Sequence, residues 1–576
     1  MGGMFSSRKN AVGAWTKVDG LALAALVVLA AVSHLSWYHA GPSLLHSDYA
    51  TSLIAADEFQ EGKISAFVFG MSYSGTTLTA LRALWALIAQ KVFGVGPVSA
   101  QMSFVYGMTP ALLAGAAFFL ARSYFAGWAA IMSGAYVALG FMTLSAHFPN
   151  DAYVFYLLYG CIVLGWRARY RSNPFLEMSP TALAAMGVLA GLAAYNSRIS
   201  MLFTVAFFLP IRESWAALHR VWKTRGTWAQ WTRIWIVFFG GLFLFLEVFG
   251  PDLGTLNGRN VKLHASPNLH LAMLGLLVLS LPEAQKWMDR KNQRRLGYLF
   301  AGFVLGISPE LLHAMRLGKF PGGSPGMGNS SFSEIFLTLG QLPGKLRELM
   351  TGNEGVLRIV PLVFGFSALL TLLRQYRKET FWSVLAAAGL TLMAFLRFRT
   401  YSPGDTRYLF PLYPVLFLSI ALLADHVLAW SGRLRAVGVG LLAAALLAHG
   451  IHQFQSRNAF ASESMAQHPV EQIQEIIQQF RSAGVELVYS TNYWHSNQYT
   501  YFSRLDPVFM VPGEVTLRHP RGVELAKTVE RAGLLSGIDE QALPEIEING
   551  ARWRVSPLGQ VGSRRLSVIQ RLASSP

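Results

Sequence analysis

The chain has 576 residues, of which 53% are hydrophobic and only 14% charged, with one cysteine, Cys161. Lys and Arg number 48 against 31 Asp and Glu, a formal net charge of +17, and the mean hydropathy is +0.37. An ordinary soluble domain is about 25% charged, so this composition excludes a disordered chain, a conventional water-soluble enzyme and a disulfide-built scaffold. It predicts an all-α polytopic membrane protein carrying a smaller water-soluble part.

Apolar segments able to cross a hydrocarbon core of about 30 Å fall at 19–40, 98–121, 127–146, 152–167, 180–196, 198–211, 234–250, 268–285, 296–312, 356–373, 381–397, 408–430 and 436–452. That is about 13 transmembrane helices. The first has basic residues before it and bulky Trp37-Tyr38-His39 at its end, which favours a retained helix over a cleaved signal peptide. The short pair 180–196 and 198–211 meets at Asn196-Ser197-Arg198. It reads as two spans, as one bent helix or as a re-entrant hairpin.

Charge sets the orientation. With the N-terminus inside, the short inner segments hold 22 Lys and Arg, the longer outer loops 14, and the tail after 452 holds 12. The positive-inside rule therefore predicts a cytoplasmic N-terminus. An odd span count places the tail outside, in the extracytoplasmic space; a single bent 180–211 would reverse that. Because the basic residues cluster between apolar stretches, they are read as loop charges, and no nucleic-acid partner is expected. Trp215, Trp222, Trp228 and Trp231 lie among basic residues in 212–233 and predict a helix in the inner headgroup layer.

The membrane domain is assigned to 1–456, with a large first outer loop, 41–97, and a long outer loop, 313–355. Within the first loop, 77–93 is helix-like and carries Arg82 and Lys91, as a surface helix does. The tail, 457–576, predicts a small α/β domain: a helix at 470–482, a strand at 485–490, another helix, a strand at 507–511, a helix near 521–533, and a hairpin over 546–555 turning at Asn549-Gly550.

In a membrane protein the informative groups are ionisable residues at span ends. Asp48 follows the first span and suits either a general base at the interface or, with Ser47, a helix cap over 49–61. Asp57 is expected on the solvated face of that helix. Asp151 opens the fourth span and equally suits an N-cap. Arg397, Arg399, Asp405 and Arg407 share one outer loop, where arginines are scarce; their forks suit phosphate, and equally anionic headgroups. No CxxC, HExxH or GxxxxGK[ST] occurs and the 14 His are scattered. No cofactor is predicted, and a divalent metal has no motif behind it.

Several of these residues together resemble the GT-C superfamily of membrane glycosyltransferases, of the aminoarabinose and protein O-mannosyltransferase type. The matching features are Asp48 after the first span, Gly70-x-x-Tyr73-x-Gly75, the surface helix 77–93, Asp151, Gly306 to Pro309 ending the ninth span, Asp405-x-Arg407-Tyr408, and Asn492-Tyr493-Trp494 in the tail. The specificity lies in their order and loop placement. Many relatives carry Asp-Glu where this chain has Asp48-Tyr49, so the motif supplies no second acid beside Asp48. The resemblance implies inverting transfer from a polyprenyl-phosphate sugar to a lipid, glycan or protein acceptor on the outer face of the membrane. It implies Asp48 as base, Asp151 as orienting acid, and Arg399 and Arg407 on the lipid phosphate. Lys63, Tyr73 and Tyr408 are further substrate-binding candidates. A transporter or flippase for a lipid-linked glycan would share the many spans but place charges or broken helices at mid-membrane. A non-catalytic assembly subunit is the third reading.

Overall fold

The computed structural model describes residues 15–34, 47–61, 76–140, 151–170, 174–196, 200–208, 252–256, 259–262, 290–317, 382–390, 412–467, 469–491, 493–512, 520–541 and 543–572, with isolated positions elsewhere. The expected spans at 234–250, 268–285 and 356–373 and the interfacial helix 212–233 lie outside these residues or meet them only at isolated positions. So does most of the outer loop 313–355. Contacts divide the chain into two compact units. One comprises Met1–Leu26, Leu112–Leu311 and Gly322–His449, the other Val27–Ala111, Leu312–Pro321 and Gly450–Pro576.

Helices dominate up to residue 467: α1 (Lys17–His34), α2 (Ser47–Gln60), α3 (Thr76–Phe93), α4 (Pro97–Arg122), α5 (Gly127–Gly140), α6 (Asp151–Arg167), α7 (Pro174–Glu177), α8 (Pro180–Asn196), α9 (Met201–Phe208), α10 (Arg290–Leu317), α11 (Tyr413–Leu428) and α12 (Gly432–Gln467). Within α4, Phe104–Met108 widens to a π turn. Among the described residues two helical stretches are long and apolar enough to cross a membrane, Pro97–Arg122 and Gly432–Gln455. α12 runs on to Gln467 without a break, through the boundary at 456/457 read from the sequence. Between the seventh and eighth apolar segments, β1 (Asp252–Leu256) and β2 (Arg259–Lys262) form an antiparallel pair. They flank Asn257-Gly258, a hairpin signal that the hydropathy reading passed over.

The first unit is built by small residues and by terminal arginines. α8 and α10 cross at glycines. A Cβ on Gly187 would stand 2.2 Å from the Leu299 carbonyl oxygen, and one on Gly302 would stand 2.1 Å from that of Ala184. Gly191 and Gly306 are equally close, to the carbonyl oxygens of Phe303 and Val188, at 2.3 Å each. Both helices carry Gly-x-x-x-Gly, the spacing that lets backbones approach where side chains are as apolar as the solvent. Gly187 meets Leu299 and Gly191 meets Phe303, so the two helices run parallel. α5 and α11 instead run antiparallel: Ser133 Oγ donates to the Phe417 carbonyl, and Tyr413 lies beside Tyr136.

Arginines tie the helix ends. Arg122, closing α4, donates to Asp19 near the start of α1 at 2.9 and 3.2 Å, and both are buried. Arg167, closing α6 and fully buried, donates to Ser383 Oγ at 3.1 Å and the Tyr170 carbonyl at 2.9 Å. Arg295 of α10 donates to the Phe175 carbonyl at 2.9 Å and to that of Met178, just ahead of α8. Charged groups at such ends are retained when paired or hydrogen-bonded. Elsewhere, Leu21 and Val28 on α1, Phe300 and Leu305 on α10, and Leu441 and Leu447 on α12 are exposed. Apolar helix faces of this kind are what a hydrocarbon solvent covers.

In the second unit the tail folds as α13 (Val470–Ser482), β3 (Leu487–Ser490), α14 (Tyr493–Phe502), β4 (Val508–Met510), α15 (Pro520–Thr528), β5 (Arg531–Gly537), β6 (Glu545–Ile548), β7 (Ala551–Val561) and β8 (Arg564–Arg571). The sheet order is β4-β3-β5-β8-β7-β6. β3 pairs in parallel with β4 and β5, and the rest is antiparallel. Ile473, Ile476, Ile477 and Phe480 of α13 share a core with Val488, Phe509, Leu535 and Leu566. Leu487, Tyr489, Val508, Trp553 and Ile569 form a second core, with Leu525 and Ala526 of α15 packed against it. Alternate residues of β3 thus enter different cores, as strand geometry requires.

The sequence reading places 470–482, 485–490, the following helix, 507–511 and the Asn549-Gly550 hairpin where the structure has them. Asn549 and Gly550 have φ of 52° and 76°, the left-handed pair of a tight hairpin turn. The helix expected over 521–533 is a correction. It ends at Thr528, and β5 begins at Arg531. Ala532 to Leu535 is an apolar run covered on both faces, which suits a central strand. Gly533 is needed there because a Cβ would stand 2.7 Å from the Phe480 ring.

Candidate functional site

The helix expected over 49–61 is Ser47–Gln60; it begins two residues earlier, so Ser47 and Asp48 lie in its first turn and not at the cap. A carboxylate there is favoured by the unpaired N–H groups of the helix start. Asp151 is the first residue of α6. The side chains of both acids lie outside the described residues. Lys63 and Tyr73 (within 62–75) and Arg399, Arg407 and Tyr408 (within 391–411) lie outside them altogether.

α2 is a packed element. Ala50, Leu53, Ile54 and Ala56 are buried. Ala50 and Leu53 share a core with Ala86 and Ala89 of α3 and with Ala100, Met102, Phe104, Val105 and Tyr106 of α4. Tyr501 and Phe502 of α14 pack on the same core, and Trp85 Nε1 donates to Ser103 Oγ at 3.1 Å. Alanines at the contact let the helices approach closely. α2, α3 and α4 are therefore joined to α14 of the tail through a common core.

The C-terminal end of α2 opens on a pocket of about 600 Å³. Asp57, Gln60 and Glu61 line one wall, Gln474 of α13 another, and Tyr501, Arg504 and Leu505 a third. Asp57 and Glu61 share a face because they are four residues apart. Arg504 and Leu505 both have left-handed backbones, with φ of 54° and 63°, a conformation unfavourable for side chains with a Cβ. The turn is held there by its surroundings. Arg481 Nη2 donates to the Ser503 carbonyl at 3.0 Å and the Asp506 carbonyl at 2.6 Å, and Ser503 Oγ donates to the Pro507 carbonyl at 2.6 Å. Thr500 Oγ1 accepts the Phe509 N–H at 2.9 Å, fixing α14 to β4.

Partial burial, and next the Glu61 carboxylate, hold the Asp57 carboxyl above its ordinary value, while Arg504 opposes them. Burial raises the Tyr501 phenol above its usual range, and the Asp57 carboxylate raises it further. Tyr501 therefore remains a phenol, able to donate. No ion pair joins Asp57 to Arg504 among the described residues. Among those residues there is also no group of three or more His, Cys, Asp and Glu side chains that would hold a metal.

The sequence reading places Asp57 on a solvated face, and Asp57 is exposed there, on the open side of the pocket. That reading passed over Gln474, Tyr501 and Arg504. The acids' four-residue spacing is a readable signal. The approach of α14 and its turn is a tertiary event, with no local mark at Arg504.

No family model matches the chain, and no curated protein matches it. Among solved structures the chain is similar to the oligosaccharyltransferase AglB of Archaeoglobus fulgidus, solved with an inhibitory peptide and a dolichol-phosphate. The identity is 15% and the TM-score 0.47, over 91% of this chain and 70% of that one. It is also similar to ArnT of Cupriavidus metallidurans, solved bound to undecaprenyl phosphate, at 14% identity and a TM-score of 0.43, over 96% of this chain and 98% of that one. At these values the likeness assigns neither an activity nor a residue role to this chain.

Proposed function

We propose that the chain is an integral-membrane glycosyltransferase of the GT-C type, moving a sugar from a polyprenyl-phosphate donor to an acceptor at the outer membrane face. The observation that carries this reading is the anchoring of α2. Asp48 belongs to a helix whose buried face is fixed between the first outer loop and the tail domain, and a reacting group is best presented from such a rigid element. The ordered motifs from Asp48 to Asp405-x-Arg407-Tyr408 support it, as do the lipid-suited faces of α1, α10 and α12.

In this reading the donor's lipid stays in the bilayer and its sugar stands at the interface. Asp48 takes the proton from the acceptor's hydroxyl or amine as that atom attacks the anomeric carbon. The bond from that carbon to the lipid phosphate oxygen breaks with inversion, and the phosphate leaves as an anion. Arg399 and Arg407 hold that phosphate through their planar forks, with Tyr408, Lys63 and Tyr73 around the donor and Asp151 orienting a sugar.

The test is Asp48→Asn, assayed in membranes with labelled polyprenyl-phosphate sugars. Asn keeps the size and gives up only the favourable charge at the helix start, about 0.3–1 kcal/mol, so thermal unfolding should move little. Turnover should fall by about 10²–10⁴-fold, the usual contribution of a general base. Full turnover in this variant would end the role of Asp48 and make Asp151 the next base to test.

A further inference from the structure

The pocket at the end of α2 stands apart from the chemistry proposed for Asp48. Nine residues separate Asp48 from Asp57, about two and a half helical turns or about 13 Å of rise. The two positions therefore lie on opposite faces of α2. A ligand held against Asp57 is not presented to position 48.

The lining nevertheless has a definite chemistry. Asp57, Gln60, Gln474 and Arg504 offer planar carboxylate, amide and guanidinium groups, each with two polar atoms side by side. Tyr501 adds a neutral phenol and one aromatic face. Val98 and Leu505 add apolar wall. Planar two-point donors and acceptors match adjacent hydroxyls, and aromatic and aliphatic walls match the C–H faces of a sugar ring. A pocket of about 600 Å³ lies within the range of small-ligand sites. The strained Arg504-Leu505 turn, pinned by Arg481 and Ser503, keeps Arg504 on the pocket wall. A residue in a sparsely populated conformation persists when its surroundings over-determine it, and such residues cluster at ligand clamps.

We infer that this pocket is a carbohydrate-binding subsite, separate from the Asp48 site, which holds a neutral hydroxyl-rich segment of a glycan. That the segment belongs to the acceptor rests on the transferase reading; the binding itself does not.

The experiment uses the full chain in detergent or nanodiscs and reads binding by saturation-transfer NMR and calorimetry, with no turnover required. The probes are the neutral disaccharides maltose and cellobiose, and ethanolamine as a small cation. At least one disaccharide should bind saturably, and Asp57→Ala should weaken it about tenfold or more, the loss of one charge-assisted hydrogen bond. Gln474→Ala should weaken it less, and gives a second reading should Asp57→Ala melt early. Binding should persist in Asp48→Asn. If neither disaccharide binds, or if binding is indifferent to both pocket variants, the subsite does not exist. Ethanolamine binding more tightly than the disaccharides, and displacing them, would overturn the carbohydrate assignment. An inactive Asp48→Asn that still binds disaccharide supports both readings. An active one that binds disaccharide in an Asp57-dependent way sinks only the role of Asp48.

Discussion

The helical unit and the tail domain solve the packing problem in opposite ways. In the helical unit, α8 and α10 meet backbone to backbone at Gly187, Gly191, Gly302 and Gly306, and arginines satisfy the helix ends. In the tail, Phe480, Tyr489 and Trp553 fill two cores on a twisted sheet. If the helical unit lies in a bilayer, as proposed above, solvent accounts for the contrast. Water drives large apolar groups inward, at about 25 cal/mol per Å² buried. Hydrocarbon provides no such drive, so close backbone approach and polar ties hold the helices.

The sharpest way to break this contrast is in the tail. Trp553 is 1% exposed, and Trp553→Ala should destabilise the domain by about 3–5 kcal/mol. Hydrogen exchange should show the loss confined to the sheet, with α8 and α10 still protected. Next comes Gly302→Ala. The new methyl would meet the Ala184 carbonyl oxygen at 2.1 Å, which neither helix can relieve without separating. A cost of about 3 kcal/mol is expected, at the upper end of overpacking, and exchange should rise in both helices while the sheet stays protected. A smaller effect follows from Gly550→Ala, at φ 76° with open space around it. Strain alone should cost about 1 kcal/mol, read in the unfolding midpoint of the tail.

The smallest effect concerns Asp57. Its folded carboxyl lies above the ordinary value of 3.8, so the folded state binds this proton more tightly than the unfolded one. Its contribution to stability is therefore fullest below the ordinary value and is lost as pH rises through the raised one. Asp57→Asn should flatten that part of the stability curve in melts from about pH 3.5 to 7. A slope surviving in the variant would assign it to other carboxylates.

Much of this was legible in the sequence, for reasons that differ along the chain. Apolar runs marked the ends of α8 and α6, because hydropathy and helix length agree there. Asn549-Gly550 gave its hairpin, because two consecutive left-handed residues demand that chemistry. The same dipeptide at Asn257-Gly258 lies between two long apolar runs, whose hydropathy masks the short hairpin. β5 was read as the end of a helix, because Ala532 to Leu535 carries no alternation; burial on both faces erases it. The paired Gly-x-x-x-Gly motifs were visible but mute about each other, since nothing local says that 187 meets 299. The pocket was the least legible feature. Its acids lie on α2, but Tyr501 and Arg504 arrive from the other end of the chain.

The parallel course of α8 and α10 also has an arithmetic. Two rods that cross a sheet in the same sense must be joined by a chain that crosses it an odd number of times. Three apolar segments lie between them: 198–211, 234–250 and 268–285. Merging 180–211 into one bent crossing would leave two and turn α10 against α8. If both helices span, parity favours a return through α9.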